Sequence, residues 1–178
     1  MIRVLGLGNV LMSDDGFGPF VVRVLEASYD QPAGVEFIDV GTPGLDLTPY
    51  LLDTDAVIFV DTVTSGGRPG ELRIYDRADI LRHAPQTRTS GHDPALKEAL
   101  LTVDAVGGGP KRVTLIGVIP DWIATGVVLS PQVEAAVGRA VMAVVQALEN
   151  LGVSLVRRDH PGVPDVWWAR SESLIPDR

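Results

Sequence analysis

Residues 2–18 read IRVLGLGNVLMSDDGFG, and this stretch decides the fold. It opens with an almost continuous apolar run over residues 2–7, which is typical of a strand covered on both faces. The run breaks at Gly8, and apolar residues then recur at helical spacing between Phe17 and Leu25. We therefore predict a buried strand, a tight loop and a helix from about residue 15 to 28.

The same alternation of short apolar runs and helical patterns continues along the chain. It is typical of an α/β fold, and we predict a three-layer α-β-α sandwich whose mainly parallel, twisted sheet of about five strands has helices on both faces. The further predicted strands cover residues 35–40, 56–61, 71–75 and 113–119. The further predicted helices cover residues 45–52 and 93–103, and a last one begins at Ser130-Pro131.

The length of 178 residues fits one well-buried domain and is short for two. We predict a single α/β domain over residues 1–155. Residues 156–178 contain several prolines and the pair Trp167-Trp168, so we expect a C-terminal tail that is either extended or packed on the domain.

Composition and charge exclude several classes of function. The net charge of −8 repels nucleic acid and anionic lipid, and no apolar run approaches the roughly 18 residues of a membrane span. The chain has no cysteine, which removes disulfides and thiolate chemistry, and its first residues do not resemble a signal peptide. We expect a cytoplasmic protein that binds neither nucleic acid nor membrane.

Candidate functional side chains follow the predicted strands. In an open parallel sheet, ligands bind beyond the carboxyl ends of the strands, and Asp14, Asp15, Asp61 and His92 can all reach that edge. Two carboxylates and an imidazole without sulfur suit a divalent ion such as nickel or zinc. Each residue also has a structural interpretation: Asp14 as a helix cap, Asp15 as a partner of the helix dipole, Asp61 as an acceptor from loop amides, and His92 as a solvated side chain.

Other site motifs are incomplete. The Gly6-x-Gly8 pattern has Leu11 where a dinucleotide-binding fingerprint needs its third glycine, and the chain has no Gly-Lys-Ser/Thr phosphate loop. It also lacks the Gly-x-Ser-x-Gly elbow of a serine hydrolase.

Residues 5–18 resemble the N-terminal motif of the hydrogenase maturation proteases. These endopeptidases remove a C-terminal extension from the large subunit of nickel–iron hydrogenases. The resemblance covers about residues 2–150, and further matches to the family follow in order at residues 39–44, 57–61, 90–92, 115–120 and 129–134.

The resemblance implies that Asp15, Asp61 and His92 contact a metal, with Asp15 at a position where the family has Glu or Asp. The metal would be nickel supplied by the precursor, with another divalent ion able to occupy the free protein. Asp15 and Asp61 become candidate catalytic residues, either through a carboxylate-activated water or beside a metal-polarised carbonyl, and Gly41 and Thr42 become candidate substrate-binding residues. The implied partner is a large-subunit precursor, and the implied state is a monomer.

Two alternatives stay open. One is a non-catalytic nickel-sensing or precursor-binding module with the same fold. The other is a peptidyl-tRNA hydrolase, which also begins with a strand leading into Gly-Leu-Gly-Asn; the acidic charge and Val10-Leu11 disfavour it. The sequence Asp93-Pro94 and the tail depart from the family pattern, so the cognate hydrogenase stays unnamed.

Overall fold

The structure is a computed structural model that describes residues 1–42, 47–83, 86–87 and 95–169. Its strands are β1 Ile2–Leu7, β2 Tyr29–Asp30, β3 Val35–Gly41, β4 Ala56–Thr64, β5 Leu72–Asp76, β6 Gln86–Thr87, β7 Arg112–Val118 and β8 Val156–Arg157. Its helices are α1 Phe17–Ser28, α2 Thr48–Leu51, α3 Arg77–His83, α4 Ala95–Ala105, α5 Pro131–Glu134 and α6 Val137–Asn150. A 3₁₀ turn over Ser13–Gly16 precedes α1.

The main sheet has the strand order β3-β1-β4-β7-β5. The first four strands are parallel, and β5 pairs antiparallel with β7 at one edge. The predicted mainly parallel sheet of about five strands is therefore confirmed, with the short β6 added antiparallel to the end of β4. The chain passes from β1 to β3 on one side and then to β4 on the other, so the strand order reverses between β1 and β4.

Two hydrophobic cores cover the two faces of the sheet. Consecutive strand residues alternate between them, because successive side chains on a strand point to opposite faces. Val4 and Ile58 lie in the core formed with α1 and α6, whereas Leu5 and Phe59 lie in the core formed with α2 and α4. This arrangement is the predicted three-layer sandwich.

Glycines allow α1 to lie directly against the sheet. A Cβ atom built on Gly18 would stand 2.2 Å from the Leu7 carbonyl oxygen and 2.3 Å from that of Val60. Gly8 has φ +127°, and a Cβ there would overlap the Asp15 carbonyl oxygen. These contacts place the turn before α1 against the carboxyl ends of β1 and β4.

Three of the longer elements differ from the prediction, and the two-residue strands β2, β6 and β8 were not predicted. β4 continues past Asp61 to Thr64, because β7 still pairs with it after its pairing with β1 has ended at Val60. The last predicted helix is divided into α5 and α6, although Ser130 caps its start as expected by accepting a bond from the Val133 amide. The sequence prediction missed α3, which spans only seven residues.

The described part of the tail lies along the C-terminal end of α1. β8 pairs antiparallel with β2, and the Gly162 amide donates to the Ala27 carbonyl oxygen at 2.9 Å. Trp168 is buried and meets Trp167 edge to face, with ring centroids 5.7 Å apart. Among the described helices, none combines the length and the apolar character needed to cross a bilayer.

Candidate active site

Asp15 lies in the 3₁₀ turn between β1 and α1 and is almost completely buried. Its Oδ2 accepts a hydrogen bond from the Asn9 amide at 2.9 Å, and its Oδ1 accepts one from the Thr62 hydroxyl at 3.3 Å. Burial raises the pKa of the Asp15 carboxyl, and the bonds from Asn9 and Thr62 offset this only in part. The carboxylate is thus held in place without full compensation for its lost hydration.

Asp61 lies on β4 and has no exposed surface. Its Oδ1 accepts a hydrogen bond from the Thr62 amide at 2.7 Å. On β4 it is the first residue beyond the last pair with β1, Gly6 with Val60, and it is therefore at the point where the strand order reverses. In open α/β sheets this crevice is where ligands bind.

Thr62 joins the two aspartates. Its amide donates to Asp61 and its hydroxyl donates to Asp15, so the structure brings the two sequence-predicted carboxylates to the two sides of one residue. The third candidate, His92, lies outside the described residues. The part of the chain that the structure describes contains no group of three His, Cys, Asp or Glu side chains arranged to hold a metal.

The donors present fit part of a metal shell. Asp15 and Asp61 supply carboxylate oxygens, and no basic side chain of the described ranges bonds to Asp15. A bound cation would stabilise a buried carboxylate of this kind. Two carboxylates alone leave the shell incomplete, so the remaining ligands have to come from outside this pair.

Asp14 has a different role from the predicted helix cap. It is fully buried, and its carboxylate reaches the loop after β7, where it accepts bonds from the amides of Asp121 at 2.8 Å, Trp122 at 3.1 Å and Ser130 at 2.6 Å. The Ser130 hydroxyl donates a fourth bond at 2.9 Å. The N-cap of α1 is Gly16, without a side-chain bond, so the cap prediction for Asp14 is wrong.

Gly41 and Thr42 lie at the end of β3, at the same edge of the sheet. Gly41 has φ 65°, and its carbonyl oxygen accepts a bond from the Gly8 amide at 2.9 Å. Its own amide donates to Asp39, which forms an ion pair with Arg23 of α1 at 3.1 Å. Thr42 is exposed, and residues 43–46, which follow it in the chain, lie outside the described residues.

Comparison with known proteins identifies the family of this chain. The family model "Hydrogenase maturation protease" matches residues 19–147, well over half of the chain. The chain belongs to the hydrogenase maturation protease family. The predicted family is confirmed, and with it the function: the protein is an endopeptidase that processes the C-terminus of the large subunit of a nickel–iron hydrogenase.

Individual relatives align with nearly the whole chain. This protease is 34% identical over 178 residues to the hydrogenase expression/formation protein HupD of Bradyrhizobium diazoefficiens, and the alignment covers 98% of this chain and 88% of HupD. It is 34% identical over 159 residues to the hydrogenase 2 maturation protease of Escherichia coli, covering 89% of this chain and 96% of that protein. Its fold is similar to the hydrogenase maturating endopeptidase HybD from E. coli, with a TM-score of 0.81 and 34% identity over 88% of this chain and 97% of that one.

The sequence prediction for this hydrogenase maturation protease missed two site residues. Asn9 and Thr62 hold Asp15; Asn9 lies inside the family motif at residues 5–18, whereas Thr62 has no distinctive sequence signal. A threonine after an apolar strand is ordinary strand composition, and an asparagine after a glycine is ordinary turn composition. The position of Thr62 next to Asp61 and the position of Asn9 in the same motif as Asp15 are the signals that point to them.

Proposed function

We propose that this hydrogenase maturation protease uses Asp15 and Asp61 to contact nickel carried by the large-subunit precursor, so that cleavage follows nickel insertion. His92, which the sequence predicts as the third ligand, completes the proposed set. The observation that carries the proposal is the pair of buried carboxylates on either side of Thr62, where the strand order of the sheet reverses.

The chemistry of the donor set supports nickel as part of the substrate. Carboxylate oxygens are weak partners for a nickel ion on its own, and two of them with one imidazole leave coordination positions open. Ligands of the precursor would fill those positions only after nickel insertion. The protease would then bind the loaded precursor in preference to the empty one; in the free protein another divalent ion can occupy the same positions.

The proposed cleavage is addition of water to the scissile carbonyl carbon. Asp15 accepts a proton from that water and returns it to the leaving amine nitrogen as the peptide bond breaks. Burial raises the pKa of Asp15 in the metal-free protein and a bound cation would lower it, so the carboxylate of the loaded complex would be ionised and able to accept a proton. Nickel beside the carbonyl would polarise it, and Thr62 keeps the Asp15 carboxylate in one orientation.

Substrate binding is proposed at Gly41 and Thr42. Within the described residues, a Cβ built on Gly41 meets no atom within 4 Å, which leaves room for a substrate side chain on that face of Gly41. The enzyme is proposed to act in the cytoplasm as a monomer that docks transiently on the precursor.

The test is a processing assay with nickel-loaded and nickel-free forms of one large-subunit precursor, read by intact mass. The unmodified protein should release one C-terminal fragment from the loaded form only. Asp15→Asn, Asp61→Asn and His92→Ala should release none, whereas Asp159→Asn, at an exposed carboxylate of the tail, should cleave normally. Equal cleavage of both forms, or full activity of the three site variants, would overturn the proposal.

A further inference from the structure

Three large apolar side chains are exposed on the two segments that flank the candidate site. Leu11 is 54% exposed, Trp122 45% and Val128 61%. Single exposed apolar residues are normal on a protein surface, but a cluster at a functional site marks an interaction surface. Leu11 belongs to the loop before Asp15, and the other two belong to the loop after β7.

The two segments are bonded into one unit at Gly126. The Ser13 amide donates to the Gly126 carbonyl oxygen at 2.8 Å, and the Gly126 amide donates to the Leu11 carbonyl oxygen at 3.0 Å. The Ser13 hydroxyl donates to the Ala124 carbonyl oxygen at 3.0 Å. Trp122 lies four residues before Gly126, and its amide also donates to Asp14 at 3.1 Å. Val128 lies two residues after Gly126, so both residues belong to the loop that this bridge joins to Leu11.

The unit is rigid and locally strained. The four bonds to Asp14 fix the loop after β7 at both of its ends, at residues 121–122 and at Ser130. Ser13 adopts a positive φ of 50°, which is uncommon for a residue other than glycine. Such strain persists where the surrounding structure enforces it and is concentrated at functional sites.

The unit is also continuous with Asp15. The Asn9 amide donates to the Asp15 carboxylate, and the Asn9 side chain accepts a bond from the Leu11 amide at 3.0 Å. The hydrogen bonds of Asn9 therefore connect Leu11 to Asp15, the candidate general base. A peptide held against Leu11 would be held at a fixed position relative to Asp15.

We propose that Leu11, Trp122 and Val128 form a docking platform that binds apolar side chains of the large-subunit precursor near the scissile bond. The occupant is the precursor because the platform is continuous with the catalytic unit that must receive it, and this identification rests on the proposed function. The three side chains carry no charge, so the contact is apolar and its strength changes little with salt. Among the three, Trp122 should contribute most to binding, because tryptophan is enriched among the residues that dominate binding energies.

The test measures precursor binding by the full-length protein separately from cleavage. Trp122→Ala should weaken binding of the nickel-loaded precursor at least about 10-fold, and Leu11→Ala and Val128→Ala should weaken it by smaller factors. The matched controls are Trp167→Ala, at a tryptophan of the tail that is 54% exposed, and Val163→Ala, at a valine that is 92% exposed. Both controls should bind as the unmodified protein does.

Single-turnover cleavage at saturating enzyme identifies which step is affected. In the platform variants the loss of binding should exceed any loss of the single-turnover rate, because they retain Asp15 and Asp61. Binding losses no larger than those of the two controls would overturn the docking platform. If the unmodified protein binds the precursor but fails to cleave it, the proposed catalysis fails, while the binding comparison still decides the platform.

Discussion

Asp14 and Asp15 are neighbours in the chain, and both are buried, but they are bound in opposite ways. Asp14 accepts four hydrogen bonds from the loop after β7, three of them from backbone amides. Asp15 accepts bonds from Asn9 and Thr62, and burial still raises its pKa. One carboxylate is matched by donors on all sides, and the other is held in place with its charge only partly compensated.

The difference indicates that Asp14 stabilises the fold at this turn, whereas Asp15 is available for function. A buried carboxylate that accepts bonds from several amides fastens two distant segments together. Removing it would leave each of those buried amides without a hydrogen-bond partner. A buried carboxylate with few donors costs stability and leaves oxygen atoms for a substrate, a proton or a metal. Burial alone does not distinguish the two roles, whereas the number of donors does.

The largest expected effect is on the cleavage rate, and it tests the functional role of the carboxylates beside Thr62. Asp61→Asn should lower the rate of precursor cleavage by about 10²–10⁴-fold, since it removes a charge from the proposed site while keeping the side-chain shape. Thr62→Val, which removes only the hydroxyl that donates to Asp15, should cause a smaller loss of about 10-fold. Single-turnover rates measure both, and a Thr62→Val loss as large as that of Asp61→Asn would make orientation, not charge, the main contribution.

A second variant disturbs the close packing of α1 against β1 and β4, which positions both Asp15 and Asp61. Gly18→Ala introduces a methyl group against the carbonyl oxygens of Leu7 and Val60, which should cost about 2–4 kcal/mol of unfolding free energy and also impair cleavage. Gly138→Ala is the matched control in α6, where a Cβ meets nothing within 4 Å, and it should raise stability by about 0.5–1 kcal/mol. Urea denaturation separates the two, and equal stability of the two variants would contradict the close approach of α1 to the sheet.

The structural side of the comparison is tested at Ser130. Ser130→Ala removes one donor to Asp14 and the cap of α5, and we expect a loss of about 1–2 kcal/mol in unfolding free energy. Thermal melts at matched concentrations provide the measurement. Because Ser130 does not contact Asp15 or Asp61 in the described hydrogen bonds, the single-turnover rate of the folded variant should stay close to normal. A large loss of that rate would show that the two carboxylates are not separate in function.

The smallest expected effect comes from Glu71, a half-buried residue whose pKa is lowered, whereas that of Asp15 is raised. Hydrogen bonds from Arg68 and Arg73 lower the pKa of Glu71 to about 2. Its stabilising contribution is present above the unfolded value of 4.5 and is lost as the pH falls toward about 2. Glu71→Gln should therefore melt slightly below the unmodified protein at pH 7, by less than about 2 °C, and the difference should shrink as the pH falls toward 2. A difference that grows at low pH would contradict this sign.

The sheet could be predicted from the sequence because buried parallel strands are continuous apolar runs with helical patterns between them. The end of β4 could not, because a charged residue usually marks the end of a buried strand, whereas Asp61 lies inside the sheet opposite Gly117. The pairing of β2 with β8 joins two-residue strands from distant parts of the chain, which leave no periodic pattern.

The candidate site, like the sheet, could be predicted only in part from the sequence. Asp15 and Asp61 could be placed near each other because the carboxyl ends of parallel strands share one edge of the sheet. The role of Asp14 could not be predicted, since its partners, including Ser130, are more than a hundred residues away and nothing local distinguishes it from a helix cap. His92 stays a sequence prediction, because it lies outside the described residues.

The most direct test of the contrast between the two neighbours is a paired measurement on Asp14→Asn and Asp15→Asn, with the melting temperature and the single-turnover cleavage rate determined for each. Asp14→Asn should melt at least about 5 °C lower and still cleave within about 10-fold of the normal rate once bound. Asp15→Asn should melt a few degrees higher at pH 7, because it removes a buried charge whose cost is present above the raised pKa of Asp15 and absent below the unfolded value of 3.8. It should lose at least about 100-fold in cleavage. An Asp15→Asn protein that melts lower, or that cleaves at the normal rate, would contradict the opposite roles of the two aspartates.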